Sequence, residues 1–413
     1  MTGVTVLVTG VTRFIGSSLA GLLAAHPAVD RVIGVDAALP EPAARLRMGE
    51  AEFARADIRN PLISKVIEAA GVDTVVHASA SSTPSGSAAR TMAKEMNVLG
   101  TMQLLAACQR SESVRNLIVR STAAVYGGSS RDPAVATEET MARSVPSTGL
   151  ARDAIDIEGY VRSFGRRRPD VRVAVPRFSE IIGPTVRTPL TKYFSMTPFV
   201  PISAGRDARL QLVHESDAVA LIQHLVLGDF AGIVNVAGDG VMTVAQAIHR
   251  AGRLPLPIPS PALESVGRLL QLMGIGGFAG FSAAQIRLLS AGRVLDTTRL
   301  RDEVGFTPRF STTQAFDDFA GRLLPALDPR SVREAELRVA SLIGVRAEPM
   351  AVRRVRRGPD ATPTITPDIT PRPAAGRTSG EIAEPFRPRL FSIDGEVGRS
   401  TPSRSSRPAG RKK

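Results

Sequence analysis

Apolar and polar positions alternate along the first half of the chain in a repeating rhythm of strand and helix. Val4, Val6, Leu7 and Val8 form a charge-free run ending at Gly10, the pattern of a central parallel strand covered on both faces. Ile15, Leu19, Leu22 and Leu23 then recur at helical spacing, and RVIGVD, closing at Asp36, is a second apolar strand. EFARADI, a helix around 62–70, DTVVHASAS, a long helix near 91–110, RNLIVRSTAAVYG, a helix from about 148 to 164 and VRVAVPRF continue the series. Strands spaced by helices of this length predict right-handed crossovers and an α/β, doubly wound parallel sheet.

Beyond Gly183 the rhythm stops. Pro184, Pro189, Pro198 and Pro201 punctuate one stretch, and Pro255, Pro257, Pro259 and Pro261 another. Interrupted segments of this kind are expected to pack at the carboxyl ends of the strands as a smaller, ligand-binding lobe. The predicted division is one domain over 1–325, with a Rossmann core mainly in 1–183 and a lobe mainly from 184–205 and 238–290. A helical extension over 326–350 and a disordered tail over 351–413 follow.

The turn between the first strand and helix carries the chemistry. Gly10 permits a tight bend and Gly16 a close helix approach, so the free N–H groups of the helix can face a pyrophosphate. Asp36, twenty positions after Gly16, is placed to accept hydrogen bonds from an adenosine ribose. The combination points to a dinucleotide, although Arg13 stands where a middle glycine is expected. An arginine there can reach a 2′-phosphate and favours NADP, or can bond the pyrophosphate. Asp36 repels a 2′-phosphate in a partly buried pocket, which makes NAD the expected cofactor.

Composition changes this picture in two places. The single cysteine, Cys108, excludes an internal disulfide or a cysteine-built zinc site, and its apolar helical setting reads as a buried side chain. No histidine pair has metal-ligand spacing, and no metal is expected. With no basic, apolar leader before the first strand, a signal peptide is not expected and the predicted setting is cytoplasmic. The run at 269–284, LLQLMGIGGFAGFSAA, has four glycines and falls short of a membrane span. The net charge of +13 is concentrated at the end, since residues from Ala351 onward carry fourteen Lys and Arg against six Asp and Glu, leaving +5 for the first 350.

Several segments together resemble the extended short-chain dehydrogenase/reductase family of NAD-dependent nucleotide-sugar epimerases and dehydratases. They are TGVTRFIG, Asp57-Ile58, His77-Ala78-Ser79-Ala80, Asn97 in NVLGT, STAAVYG, RFSEIIGP, VHESDAVA and LDTTRLRDEVGFTPRF, in family order over about Val4 to Leu324. The resemblance implies that Phe14 and Ile15 join Gly10, Arg13 and Gly16 around the cofactor. It likewise implies that Asp57 and Ile58 meet the adenine, and that His77, Ala78 and Ser79 run beside the dinucleotide. It also implies a nucleotide-sugar ligand and a homodimer through a helix pair. His214 is read as a residue able to touch a ligand, and His26, His224 and His249 as surface or helix residues.

The departures concern catalysis. The family uses a Tyr and a Lys four residues later, so that the ammonium lowers the phenol pKa and the Tyr exchanges a proton with substrate. Alignment through LARDAIDIE puts Leu150 and Ala154 at those positions, and Thr122 alone keeps the family's Ser/Thr. Tyr126, just past the fifth strand, and Asp153, paired in solvent with Arg152, are the candidate substitutes. Tyr160 lies almost three turns too far along the helix.

The tail repeats Thr-Pro at Thr362, Thr366 and Thr370 and closes as GRSTPSRSSRPAGRKK, a composition that cannot form a packed core. Three roles stay open for it: solubilisation, contact with an anionic membrane surface or nucleic acid that would make the protein peripheral to the membrane, and control by phosphorylation. Two functions stay open for the whole: an NAD-dependent enzyme on a nucleotide-linked sugar with non-standard acid/base chemistry, or a non-catalytic NAD-dependent sensor or scaffold.

Overall fold

The computed structural model describes residues 3–78, 87–127, 132–143, 149–205, 207–259 and 288–323, with residues 334 and 338. Ser79, Ala80, the 269–284 run, the rest of the expected 326–350 extension and the 351–413 tail lie outside them.

The chain opens with β1 (Val4–Thr9), α1 (Phe14–Ala24), β2 (Val29–Asp36), α2 (Pro42–Met48), β3 (Glu52–Arg55), α3 (Leu62–Ala69) and β4 (Thr74–His77). Next, α4 (Ser87–Lys94) passes through a π-helical turn at Glu95–Leu99 into α5 (Gly100–Arg110). β5 (Asn116–Val119), β6 (Ser121–Thr122), a 3₁₀ turn at Ala123–Tyr126, α6 (Leu150–Arg167) and β7 (Arg172–Phe178) follow. Then come β8 (Glu180–Ile182), α7 (Pro189–Phe194), β9 (Phe199–Ser203), β10 (Arg209–Leu210), β11 (Leu212–His214), α8 (Glu215–Leu227) and β12 (Gly232–Val236). The last elements are β13 (Met242–Thr243), α9 (Val244–Arg250), β14 (Leu254–Ile258), α10 (Thr298–Asp302) and α11 (Thr312–Ala320).

The main sheet is parallel, in the order β12-β7-β5-β4-β1-β2-β3, with β6 beside β7. Strand order therefore reverses between β1 and β4, and a ligand crevice is expected outside the carboxyl ends of that pair. Alternation along β1 explains why both faces are covered. Val6 and Val8 pack with Leu19, Leu23 and Leu221, and Leu7 packs on the other face with Leu104, Val161 and Phe164. Each fully buried side chain of this kind contributes about 1.5–3 kcal/mol.

A separate apolar cluster gathers Phe194, Val200, Leu210, Ile248 and Phe316, drawing on β9, β10, α7, α9 and α11. The small pairs β8/β11, β9/β14 and β10/β13 frame this part. Among the described residues no helix is long and apolar enough to cross a membrane.

Candidate functional site

The turn after β1 is built as tightly as its glycines allow. Gly10 has φ 76°, a left-handed conformation that glycine enters without a Cβ clash. At Gly16 a Cβ would stand 2.3 Å from the Gly10 carbonyl oxygen, so α1 and the turn touch backbone to backbone. Arg13 is the N-cap of α1 and no side-chain hydrogen bond caps that end, which leaves the helix N-terminus turned toward whatever the turn holds. At the end of β2, Asp36 accepts from the Thr12 hydroxyl at 2.6 Å and the Thr12 N–H at 3.2 Å. The carboxylate is thus held against the turn, partly exposed.

The other positions expected to meet the cofactor follow β3 and end β4. Asp57 ends the segment after β3, and its carboxylate is gripped by the Arg59 guanidinium at 2.6 Å, whose hydrogen bond holds the carboxyl below its usual pKa. Ile58 is buried against Gly100. His77 ends β4 with its ring buried between the hydroxyls of Thr9 (2.8 Å) and Thr101 (2.9 Å). Thr101 donates its own proton to the Asn97 carbonyl, so it accepts from His77 Nε2–H, and Nδ1 accepts from Thr9. Burial, reinforced by the charge of Arg120, lowers the His77 pKa to about 4 and keeps the imidazole neutral. Ala78 follows in the wall of a cleft.

That cleft has a volume of about 400 Å³ and opens at the carboxyl ends of the strands. Arg13, Phe14 and Ile15 line it together with Ala78, Thr122 and Leu150. The turn, Thr122 and Leu150 therefore share one space. Leu150 presents a hydrocarbon wall at the first turn of α6. Ala154 is buried in a small cluster with Ala123, Val125 and Tyr126. The Thr122 hydroxyl accepts from the Ala124 N–H at 3.2 Å.

Two candidate substitutes are already engaged elsewhere. Tyr126 is 3 % exposed; its hydroxyl donates to Asn235 Oδ1 at 2.6 Å and accepts from Arg177 at 2.8 Å. Burial raises its pKa, against the pull of Arg177. Asp153 does not form a solvated pair with Arg152. It is fully buried and accepts from Asn97 Nδ2 at 3.1 Å, while Arg152 pairs with Asp156. The π-helical turn brings Asn97 to this position.

His214 is buried, stacked on Phe310 and bonded to Ser216 and Asp318. His224 bonds the Val304 carbonyl at 2.8 Å. Burial pushes the Cys108 thiol up to about 12, too high for a nucleophile. Among the described residues, no three His, Cys, Asp or Glu side chains are grouped to hold a metal.

Several site residues have no counterpart in the sequence reading. Ser121 donates to Glu158 at 2.6 Å, and Glu158 binds Arg177 through two hydrogen bonds of 2.6 and 3.0 Å. This buried pair fixes β6 and α6 behind the cleft. Arg47, Arg120, Glu180, Arg187 and Arg293 also line the cleft. Their sequence signal is a charge inside an apolar run, as in NLIVRST and RFSEII.

A family profile described as the NAD dependent epimerase/dehydratase family matches residues 6–224. An uncharacterised protein of Mycobacterium tuberculosis is 47 % identical over 339 residues, covering 82 % of this chain and 89 % of that protein. A UDP-glucuronic acid 4-epimerase of Bacillus cereus, in complex with UDP-glucuronic acid and NAD, shares the fold with a TM-score of 0.60 and 17 % identity, over 77 % of this chain and 98 % of that one. A UDP-glucose 4-epimerase of Thermotoga maritima with UDP-glucose gives a TM-score of 0.58 and 18 % identity, again over 77 % and 98 %.

Proposed function

The chain belongs to the NAD dependent epimerase/dehydratase family, and we propose that it binds NAD at the β1–α1 turn and a nucleotide-linked sugar in the adjoining cleft, with the family's acid/base step impaired. The observation that carries this reading is the lining of the cleft, where Arg13, Phe14 and Ile15 stand with Thr122 and Leu150.

NAD fits the turn by chemistry. The α1 N-terminus and Arg13 suit a pyrophosphate, and Asp36 suits ribose hydroxyls while repelling the 2′-phosphate of NADP. Bound there, the nicotinamide supplies a hydride acceptor and donor. Solved proteins of the same fold hold UDP-glucose or UDP-glucuronic acid, which supports a nucleotide-linked sugar as the second ligand. The expected homodimer belongs to the same proposal. Met92, Leu99 and Met102, on α4, the π-helical turn and α5, are exposed apolar residues available to it, and sedimentation tests it.

Proton exchange is where the site falls short. Leu150 carries no ionisable group, Ala154 brings no ammonium, and the Thr122 hydroxyl is far too weak an acid to exchange a proton alone. Wild-type turnover of UDP-glucose or UDP-glucuronic acid with NAD is therefore expected to be slow or absent. Leu150→Tyr should raise it, by up to the 10²- to 10⁴-fold that a positioned acid/base provides. The double variant with Ala154→Lys should go further, although a lysine in the packed Ala123, Val125 and Tyr126 cluster costs about 1–3 kcal/mol, so the single variant is measured first. Robust wild-type turnover that survives Thr122→Ala would contradict the proposal.

The loss of both Tyr and Lys also favours a second reading, a non-catalytic NAD-dependent sensor or scaffold. Ligand binding without turnover in the wild type, unchanged by Leu150→Tyr, selects it.

A further inference from the structure

We propose that Glu215 is a positioning residue for the second ligand: its carboxylate latches residues 183–188, between β8 and α7, into place as one wall of the cleft, and the nucleotide-linked sugar binds the latched form. The inference rests on the ligand cleft assigned above and names the side chain that shapes it.

The latch follows from strand register. β8 and β11 pair in parallel with Ile182 beside His214, so the residues that come next, Gly183 and Glu215, leave the pair side by side. Glu215 is the first residue of α8 and is 5 % exposed. Its Oε2 accepts from the Val186 N–H at 2.6 Å and from the Thr185 N–H at 3.1 Å, and Oε1 lies 3.2 Å from the same Thr185 nitrogen. Hydrogen bonds to an ionised acceptor are roughly twice as strong as neutral ones. Gly183 leaves the carboxylate its room, since a Cβ there would stand 2.4 Å from Oε2. The place also suits a negative charge, because helix N-termini favour one and Glu215 attracts Arg47, another residue of the cleft lining.

The latched stretch leads from the main sheet into the second apolar cluster. Thr185, Val186, Arg187, Thr188 and Pro189 line the cleft, and α7, which follows, places Leu190 and Phe194 in that cluster. Farther along α8, Leu221 and Leu225 pack with Leu19 and Leu23 of α1, the helix that opens at the NAD turn. Glu215 therefore fastens the wall for the second ligand to the half that holds NAD. The NAD turn itself is held by its own bonds between Thr12 and Asp36, so loss of the latch should act on the second ligand and spare the cofactor.

A ligand that needs the latched form loses apparent affinity in proportion to the fraction latched. A protease that cuts the released stretch gains in proportion to the fraction open. Arg187 is exposed and offers trypsin the Arg187–Thr188 bond, so the latch has a readout that needs no ligand.

The test compares the full wild-type chain with Glu215→Ala, Glu215→Gln and Gly183→Ala. Trypsin cleavage after Arg187 is followed by mass spectrometry, and calorimetry measures NAD and, at saturating NAD, UDP-glucose. In Glu215→Ala, cleavage should quicken about 10-fold or more and UDP-glucose affinity should fall about 10- to 100-fold, the scale of losing hydrogen bonds to a charged acceptor, with NAD affinity within about two-fold of wild type. Glutamine keeps one oxygen able to accept from both N–H groups, so Glu215→Gln should recover most of both effects. In Gly183→Ala the added methyl displaces the carboxylate from the other side and should reproduce the result of Glu215→Ala.

Wild-type cleavage in both alanine variants, unchanged UDP-glucose affinity, NAD and UDP-glucose affinities that fall together, or a Glu215→Gln variant as impaired as Glu215→Ala each overturns the proposal. If wild type binds NAD but not UDP-glucose, the reading of the second ligand fails separately, and cleavage alone decides the latch. Faster cleavage in both alanine variants, restored in Glu215→Gln, supports it, and wild-type rates overturn it. Circular dichroism and melting temperature identify a variant that fails to fold, and the other alanine variant then decides.

Discussion

Glu158 shows how a single side chain can organise a site without touching the cleft. Its carboxylate binds Arg177 at 2.6 Å and accepts from Ser121 at 2.6 Å, with both members of the ion pair buried. Removing one partner strands the other's charge, so Glu158→Ala should cost about 3–5 kcal/mol in urea unfolding. Replacing both, as Glu158→Leu with Arg177→Met, should cost clearly less, and equal losses would refute the pair's role. His77 supplies a pH prediction. With a folded pKa of about 4 against an ordinary value near 6.5, the unfolded chain binds the extra proton first as pH falls. The associated stability is complete above about pH 6.5, is reduced by about 2 kcal/mol at pH 5, and is fully lost near pH 4. His77→Gln should flatten that window relative to wild type, and identical pH profiles would contradict a neutral, buried His77.

Some of this was legible from the residues and some was not. The reading of Leu150 and Ala154 at the family's Tyr and Lys positions comes from the resemblance, and the residues themselves show a leucine in the cleft wall and an alanine in a buried cluster. The place of Asp153 was not legible, because residue type suggested solvent while its position lies on the buried stripe with Ala154, Ile157 and Val161.

At the scale of elements, the strand-helix order follows from periodicity because each parallel strand is apolar and each helix has one apolar face. What periodicity misses is local. The helix expected near 91–110 is broken by the π-helical turn at Glu95–Leu99, and a one-residue change of hydrogen-bond register leaves little trace in hydrophobic spacing. The helix expected from 148 starts at Leu150. β8 and β11, three residues each, pair in parallel with Leu212 beside Glu180 and His214 beside Ile182 and are too short to carry a pattern, so the position of Glu180 in the cleft was hidden with them. The β1–α1 turn yields a sharp prediction. A methyl at residue 16 would meet the Gly10 carbonyl oxygen at 2.3 Å, so Gly16→Ala should push α1 from β1 and abolish NAD binding. Calorimetry on a folded variant checks it, and unchanged affinity would show that the close approach is dispensable.

For the whole molecule, the basic charge belongs to the end of the chain. Residues from Ala351 onward hold a net +8 of the total +13, with Phe386 and Phe391 as their aromatic residues. Deleting 351–413 should leave the melting temperature and NAD affinity nearly unchanged, and should remove any salt-sensitive adsorption to anionic vesicles or nucleic acid. Phosphate at Thr362, Thr366 or Thr370 should weaken that adsorption by cancelling charge, and a large loss of stability on truncation would show instead that the tail packs on the body. Before any of this, the molecule has to hold its cofactor. Calorimetric titration of the full chain with NAD and with NADP tests that most directly. Saturable one-site binding of NAD, with NADP weaker and the difference reduced in Asp36→Asn, is the expected result; no binding of NAD, or NADP binding as tightly, would contradict it.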